Sequence, residues 1–210
     1  MAEIEEVAGK DIVIRFDGTR CIHARHCVLT HPDVFVPNVE GAWIHPDAAS
    51  AEAVAALAHE CPSGAITYER RDGGAAEAAP LVNTLRLREN GPLAVNAPLA
   101  GAASGHRATL CRCGASRRKP NCDGSHRAAG FVATGEPAEL ASAPLAARGG
   151  TMTVTPLKNG PLQLDGNLEL VSGTGRTLNR VTQAFLCRCG GSKNKPYCDG
   201  SHRKIGFTAD

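Results

Sequence analysis

Aromatic residues are scarce: 4% of a 210-residue chain, with one Trp, two Tyr and five Phe. That excludes one large aromatic core and favours small domains, which usually need a covalent or metal staple. An excess of charge of either sign is also missing. Lys and Arg (23) nearly balance Asp and Glu (21), for a formal net charge of +2, which argues against a nucleic-acid binder. No run of about 18 apolar residues occurs, so no membrane span or anchor is predicted. The acidic opening Met-Ala-Glu-Ile-Glu-Glu lacks the apolar stretch of a secretory signal, and the expected location is cytoplasmic. Walker loop, Gly-x-Gly-x-x-Gly fingerprint and nucleophile elbow are all missing, so no enzyme is expected.

Cysteine, glycine and proline are plentiful. Gly (23) and Pro (13) together exceed one residue in six, which favours short elements joined by many turns. Nine cysteines are an odd count, and without an export signal metal ligation is the better reading than disulfides.

Three segments separate along the chain. Residues 1–72 hold Cys21, Cys27 and Cys61. Residues 73–80 are a small-residue linker. From Leu81 the chain repeats itself, once over 81–145 and again over 146–210. Each copy carries Asn-Gly-Pro-Leu (from Asn90 and from Asn159), then three cysteines and a histidine, then Gly-Phe (Gly130-Phe131 and Gly206-Phe207). The stretch from Asn-Gly to the first cysteine is seven residues longer in the second copy, which predicts a loop insertion near Ser172–Gly175. Alternation over 84–88 and 152–156 predicts half-buried strands, and each Asn-Gly turn leads into a second strand at Leu93 and Leu162. Residues 108–110 and 184–186 predict strands running into the cysteines. In the first segment 11–16 predicts a strand, and Pro46 to His59 an Ala-rich helix.

The repeated motif reads Cys111-Arg-Cys113, then Cys122-Asp123-Gly-Ser-His126; the second copy reads Cys187-Arg-Cys189, then Cys198-Asp199-Gly-Ser-His202. Each supplies three thiolates and one imidazole. If Asp123 and Asp199 open helices, the i,i+4 spacing brings Cys and His together on one turn. Structural zinc also accepts three Cys and one His, but usually with two residues between paired cysteines rather than one. Disulfides leave the histidines unexplained. On residue chemistry, an iron–sulfur cluster leads and zinc remains the alternative.

The full pattern, Cys-x-Cys-x2-Ser-x3-Pro-x-Cys-Asp-Gly-Ser-His, resembles the CDGSH iron–sulfur domain of the mitoNEET-like proteins. The resemblance covers roughly residues 81–210. It implies one [2Fe–2S] cluster per copy, with Cys111 and Cys113 on one iron and Cys122 and His126 on the other. Cys187, Cys189, Cys198 and His202 repeat the set. It also implies that the two copies pack as an internal pseudo-dimer within a monomeric chain.

The first segment reads Cys21-Ile-His23-Ala24-Arg-His26-Cys27, with Cys61-Pro-Ser-Gly-Ala65 much later. It resembles a divergent single-cluster ferredoxin domain over about residues 10–70, on those residues and on Trp43-Ile-His-Pro-Asp47. The middle cysteine of the bacterial pattern is replaced by Ala24. Three thiolates suit a [3Fe–4S] cluster; a [4Fe–4S] cluster takes a fourth ligand from His23, His26 or solvent.

The architecture expected is α+β: a small ferredoxin-like domain followed by two β-rich CDGSH domains. The function expected is electron transfer with a protein redox partner. The alternatives are a [2Fe–2S] carrier that serves an apo-protein acceptor, a redox or pH sensor, and a zinc-stabilised interaction module. Imidazole takes up protons where thiolate ligation resists them, which is the basis of the pH reading. Arg117, Arg118, Lys119, Lys193 and Lys195 crowd the cluster loops and read as a solvated face, with attraction of an acidic redox partner as the alternative.

Overall fold

The computed structural model describes residues 4–209. The chain divides into two compact units, one ending at Ala78 and the other starting at Ala79.

The first unit is built on an antiparallel sheet of β1 (Glu5–Ala8), β2 (Ile12–Phe16) and β3 (Ile66–Arg70), with β2 central. Ile12 and Ile14 on one face of β2 pack with Tyr68 of β3 and with Val54, Leu57 and Ala58 of α2 (Ala51–Glu60). A short α1 (His26–Thr30) lies between β2 and α2 in sequence. The helix expected from Pro46 is interrupted. Pro46–Ala48 form a separate 3-10 turn, Ala49 and Ser50 are extended, and α2 starts afresh at Ala51. Ser50 explains the restart: its Oγ accepts a hydrogen bond from the Ala53 N–H at 3.2 Å, capping an otherwise unpaired donor. Half of the chain's eight aromatics lie in this unit. Trp43 packs edge-on against Phe16 at 4.9 Å and tilts over Phe35 at 5.9 Å.

The second unit holds both repeats in one sheet. The first copy contributes β4 (Thr84–Leu87), β5 (Leu93–Gly101) and β6 (Gly105–Leu110). The second contributes β7 (Met152–Pro156), β8 (Leu162–Val171), β9 (Thr177–Leu186) and the four-residue α3 (Ser201–Lys204). Within each copy the strands pair antiparallel; between copies they pair parallel. β4 runs beside the far half of β8 (Thr84 opposite Glu169), and β7 beside the far half of β5 (Met152 opposite Leu99). The exchange is reciprocal, because β4 and β7 are equivalent strands, as are β5 and β8. One apolar core follows: Leu85, Leu87 and Val95 of one copy share it with Val154, Leu164 and Leu170 of the other.

Both Asn-Gly turns put Asn in the left-handed region, Asn90 at φ 48° and Asn159 at φ 50°. Their side chains tie down the segment after each Phe: Asn90 Oδ1 accepts from the Ala133 N–H and Asn159 Oδ1 from the Ala209 N–H, both at 2.9 Å. The seven extra residues of the second copy do not form a loop insertion. β8 and β9 have ten residues each where β5 and β6 have nine and six, so most of the added length is strand. Only the turn between β8 and β9 lies where the insertion was expected.

Candidate cluster sites

β6 and β9 each deliver the first cysteine of a motif to their C-terminal end. The loop that follows folds back on its own strand. The Cys111 N–H donates to Pro120 O at 2.7 Å and the Cys122 N–H to Thr109 O at 2.8 Å; Cys187 to Pro196 O and Cys198 to Phe185 O repeat this at 2.8 and 2.9 Å. The motif serine holds the loop closed, with Ser116 Oγ donating to Asn121 O at 2.6 Å and Ser192 Oγ to Tyr197 O at 2.7 Å.

The donors come together as two close pairs per copy. Cys111 and Cys113 Sγ stand 3.7 Å apart, and Cys122 Sγ is 3.4 Å from His126 Nδ1. In the second copy Cys187 and Cys189 are 3.8 Å apart, and Cys198 lies 3.3 Å from His202 Nδ1. Among the described residues no three His, Cys, Asp or Glu side chains converge as ligands of one metal ion do. Main-chain N–H groups already point at sulfur: Ala115 at Cys113, Gly124 at Cys122, Gly191 at Cys189 and Gly200 at Cys198, at 3.3–3.5 Å. Such contacts stabilise thiolate and tune any metal it holds. The donor types, their pairing and these N–H groups fit an iron–sulfur group.

The helices expected at the aspartates are only partly present. α3 follows Asp199, but the residues after Asp123 form turns alone. The carboxylates do the positioning in both copies. Asp123 accepts from the Ser125 N–H at 3.0 Å and the Arg117 N–H at 2.9 Å; Asp199 accepts from Ser201 at 3.0 Å and Lys193 at 2.8 Å. Each therefore clamps the Cys-His turn to the loop that follows Cys-x-Cys. Burial works against ionisation of Asp123, yet the Ser125 and Arg117 hydrogen bonds still hold it down at about 2.

The thiols are poised unequally. A hydrogen bond from Cys113 draws the Cys111 thiol down to about 6, against the effect of burial, and Cys113 is pushed up in exchange. Burial lifts Cys122 to about 11 and lowers His126, which favours the neutral, ligating imidazole.

Two residues of the site went unread in the sequence. Arg112 and Arg188 are each 1% exposed at the centre of Cys-Arg-Cys. The only signal was that arginine recurs at the same position in both copies.

In the first unit, Cys21, Cys27 and Cys61 line one cavity of about 590 Å³, together with His23 and His26. Ile22, Trp43, Leu57 and Ile66 supply its apolar wall. Cys21 precedes a tight loop in which His23 (φ 53°) and Arg25 (φ 66°) are both left-handed, and Cys27 lies within α1. Cys61 caps the C-terminal end of α2. The His23 N–H donates to Cys21 Sγ at 3.4 Å, and Ser63 Oγ lies 3.7 Å from Cys61 Sγ. Burial pushes up the thiols of Cys21 and Cys27, and Cys61 adds to it in both. Three thiols around one apolar cavity, where burial disfavours bare thiolate, fit a cationic metal group that would accept them as thiolates.

Residues 90–127 and 159–203 match the family described as iron-binding zinc finger, CDGSH type. Residues 7–71 match the family described as divergent 4Fe-4S mono-cluster. No match was found among curated proteins.

Proposed function

We propose that this chain, which joins one divergent 4Fe-4S mono-cluster segment to two CDGSH-type iron-binding segments, is a multi-cluster electron-transfer protein. Iron–sulfur binding is the common property of its segments. The finer reading assigns one [2Fe–2S] cluster to Cys111, Cys113, Cys122 and His126, and a second to Cys187, Cys189, Cys198 and His202. It assigns a [3Fe–4S] or [4Fe–4S] cluster to Cys21, Cys27 and Cys61, with His23 or His26 as candidate fourth ligand. The first unit is then a ferredoxin-like domain and the second an internal pseudo-dimer.

The observation that carries the [2Fe–2S] reading is the pairing of donors, two close pairs in each copy. One pair per iron is what two bridged irons require, whereas a tetrahedral zinc needs four donors around one point. Clusters of these types supply one-electron reduction and reoxidation. The chain's own residues hold the ligands, direct N–H groups at sulfur and keep the loops rigid. The reciprocal strand exchange supports the pseudo-dimer, since each copy's first strand completes the other's sheet.

The test is anaerobic purification with iron, acid-labile sulfide and zinc counted per chain, followed by reduction with dithionite and reoxidation under electron paramagnetic resonance. About seven or eight irons with matching sulfide, and signals that cycle without cluster loss, are expected. Zinc without sulfide overturns the cluster assignment. Transfer of iron and sulfide to an apo-protein, without reversible reduction, makes the chain a cluster carrier instead.

A further inference from the structure

Arg112 and Arg188 are the two largest fully buried side chains, although arginine is rarely buried unless it is paired. The Arg112 guanidinium donates to main-chain carbonyls: Nε to Gly91 O at 3.0 Å, Nη1 to Thr134 O at 3.1 Å, and Nη2 to Arg88 O and Ala133 O at 2.6 and 3.2 Å. Its carbon lies 5.5 Å from the centre of the Phe131 ring. Arg188 repeats the arrangement, with Nε to Gly160 O at 3.1 Å, Nη2 to Leu157 O at 2.6 Å, and the Phe207 ring at 5.5 Å. Carbonyl dipoles and a ring face solvate a guanidinium without neutralising it. A full positive charge is thus held out of water on the residue that separates the two cysteines of each Cys-Arg-Cys. Arg112 directly precedes Cys113, which pairs with Cys189 of the other copy across an antiparallel bridge, so the charge stands beside the cysteine loops of both copies.

We infer that Arg112 and Arg188 set the reduction potential of the paired sites, holding it up by their buried charge, and that Arg112 acts on both copies. This rests on the [2Fe–2S] reading above. Each reduction adds one electron, taken from the titrant, and one negative charge to the group between the thiolates, with no bond made or broken. A fixed cation favours the more negative state, and inside protein the effect is weakly screened. Net charge near the cluster is one of the determinants of its potential. A purely structural role, tying the Asn-Gly turn and residues 133–134 to the cluster loop, predicts loss of stability or cluster content but unchanged potentials.

The experiment is a redox titration of the full chain with dithionite and ferricyanide, followed by visible absorbance and paramagnetic resonance. Arg112→Lys keeps the charge and should leave the midpoint near that of the parent protein. Arg112→Met removes the charge at similar volume and should move the whole [2Fe–2S] curve to more negative potential. Glu89→Gln provides the opposite sign. Glu89 is exposed, and its carboxylate accepts from the Gly135 N–H, next to the Thr134 carbonyl that Arg112 holds; there it partly offsets the Arg112 charge, so its removal should move the midpoint to more positive potential. If Arg112→Met holds no iron or sulfide, Glu89→Gln decides. Arg112→Met loaded with unchanged midpoints overturns the inference, as does an unmoved Glu89→Gln when Arg112→Met is empty. A curve that splits into a moved half and an unmoved half overturns the reach across copies. The iron and sulfide count of the parent protein separates failure of this inference from failure of the cluster reading.

Discussion

Cys113 and Cys189 face each other across an antiparallel β-bridge, so the cysteine loops of the two copies touch backbone to backbone. The residues after them, Gly114 and Gly190, have φ of +84° and +81°. A Cβ on Gly114 would lie 2.6 Å from the Cys189 carbonyl oxygen, and one on Gly190 would strike that of Cys113. The obstacle is main chain, which cannot swing aside. These glycines therefore allow the close approach as well as the turn.

Gly114→Ala should lower iron and sulfide at both copies, because the bridge it breaks joins both cysteine loops. Left-handed backbone costs about 1–2 kcal/mol for a residue with a Cβ, and here the main-chain clash adds to it. Gly124→Ala is the control. Its φ is +86°, but a Cβ there meets nothing within 4 Å, so only the backbone cost applies. Cluster content and melting temperature of the two variants, measured side by side, check the contrast. Equal iron loss in both would deny the bridge its role.

The parts of the fold that could be read in the sequence are those where local pattern and tertiary burial agree. β7 spans Met152–Pro156, the range its alternation predicted, and both Asn-Gly turns are turns. In β8 the alternation that starts at Leu162 is broken at Asp165-Gly166-Asn167. The strand continues through a register shift between Asp165 and Leu168, with Gly166 at φ +136°. β5 has a similar shift between Asn96 and Leu99. The pairing of β4 with β8 could not be read from the pattern of one repeat, since strand exchange depends on the partner copy. At the sites, ligand types and spacing were legible. The burial of Arg112 was not, because hydropathy places arginine at the surface and only the ring of carbonyls around it explains otherwise.

Cys61→Ser tests the independence of the first site. Cys61 lines the cavity with Cys21 and Cys27 but belongs to a compact unit separate from both CDGSH-type copies. The variant should lose about three or four irons per chain and keep about four. The paramagnetic signal proposed for the two CDGSH-type copies should not change. Loss of all iron, measured on folded protein, would mean that the three sites load as one.

Glu169 gives a pH dependence whose sign follows from its surroundings. Its side chain is 4% exposed on β8, and Arg148 from the segment joining the copies donates Nε to Oε1 at 2.6 Å and Nη2 to Oε2 at 3.2 Å. Arg148 also accepts at its carbonyl from the Asn83 N–H at 2.7 Å, so the contact pins the connecting segment beside β4. The Arg148 hydrogen bonds hold the Glu169 carboxyl below the usual range, against its burial. A carboxyl lowered in the folded state contributes stability above its unfolded value and loses it as pH falls through the folded one. The melting temperature should therefore be level from about pH 7 to 5 and fall below about pH 4.5. Glu169→Gln should be less stable at pH 7 by about 2 kcal/mol, the loss of a charged hydrogen-bonded pair. It should also lose part of the fall in acid. Thermal melts of both proteins between pH 7 and 3 check this, and parallel curves would show that Glu169 ionises alike in the folded and unfolded chain.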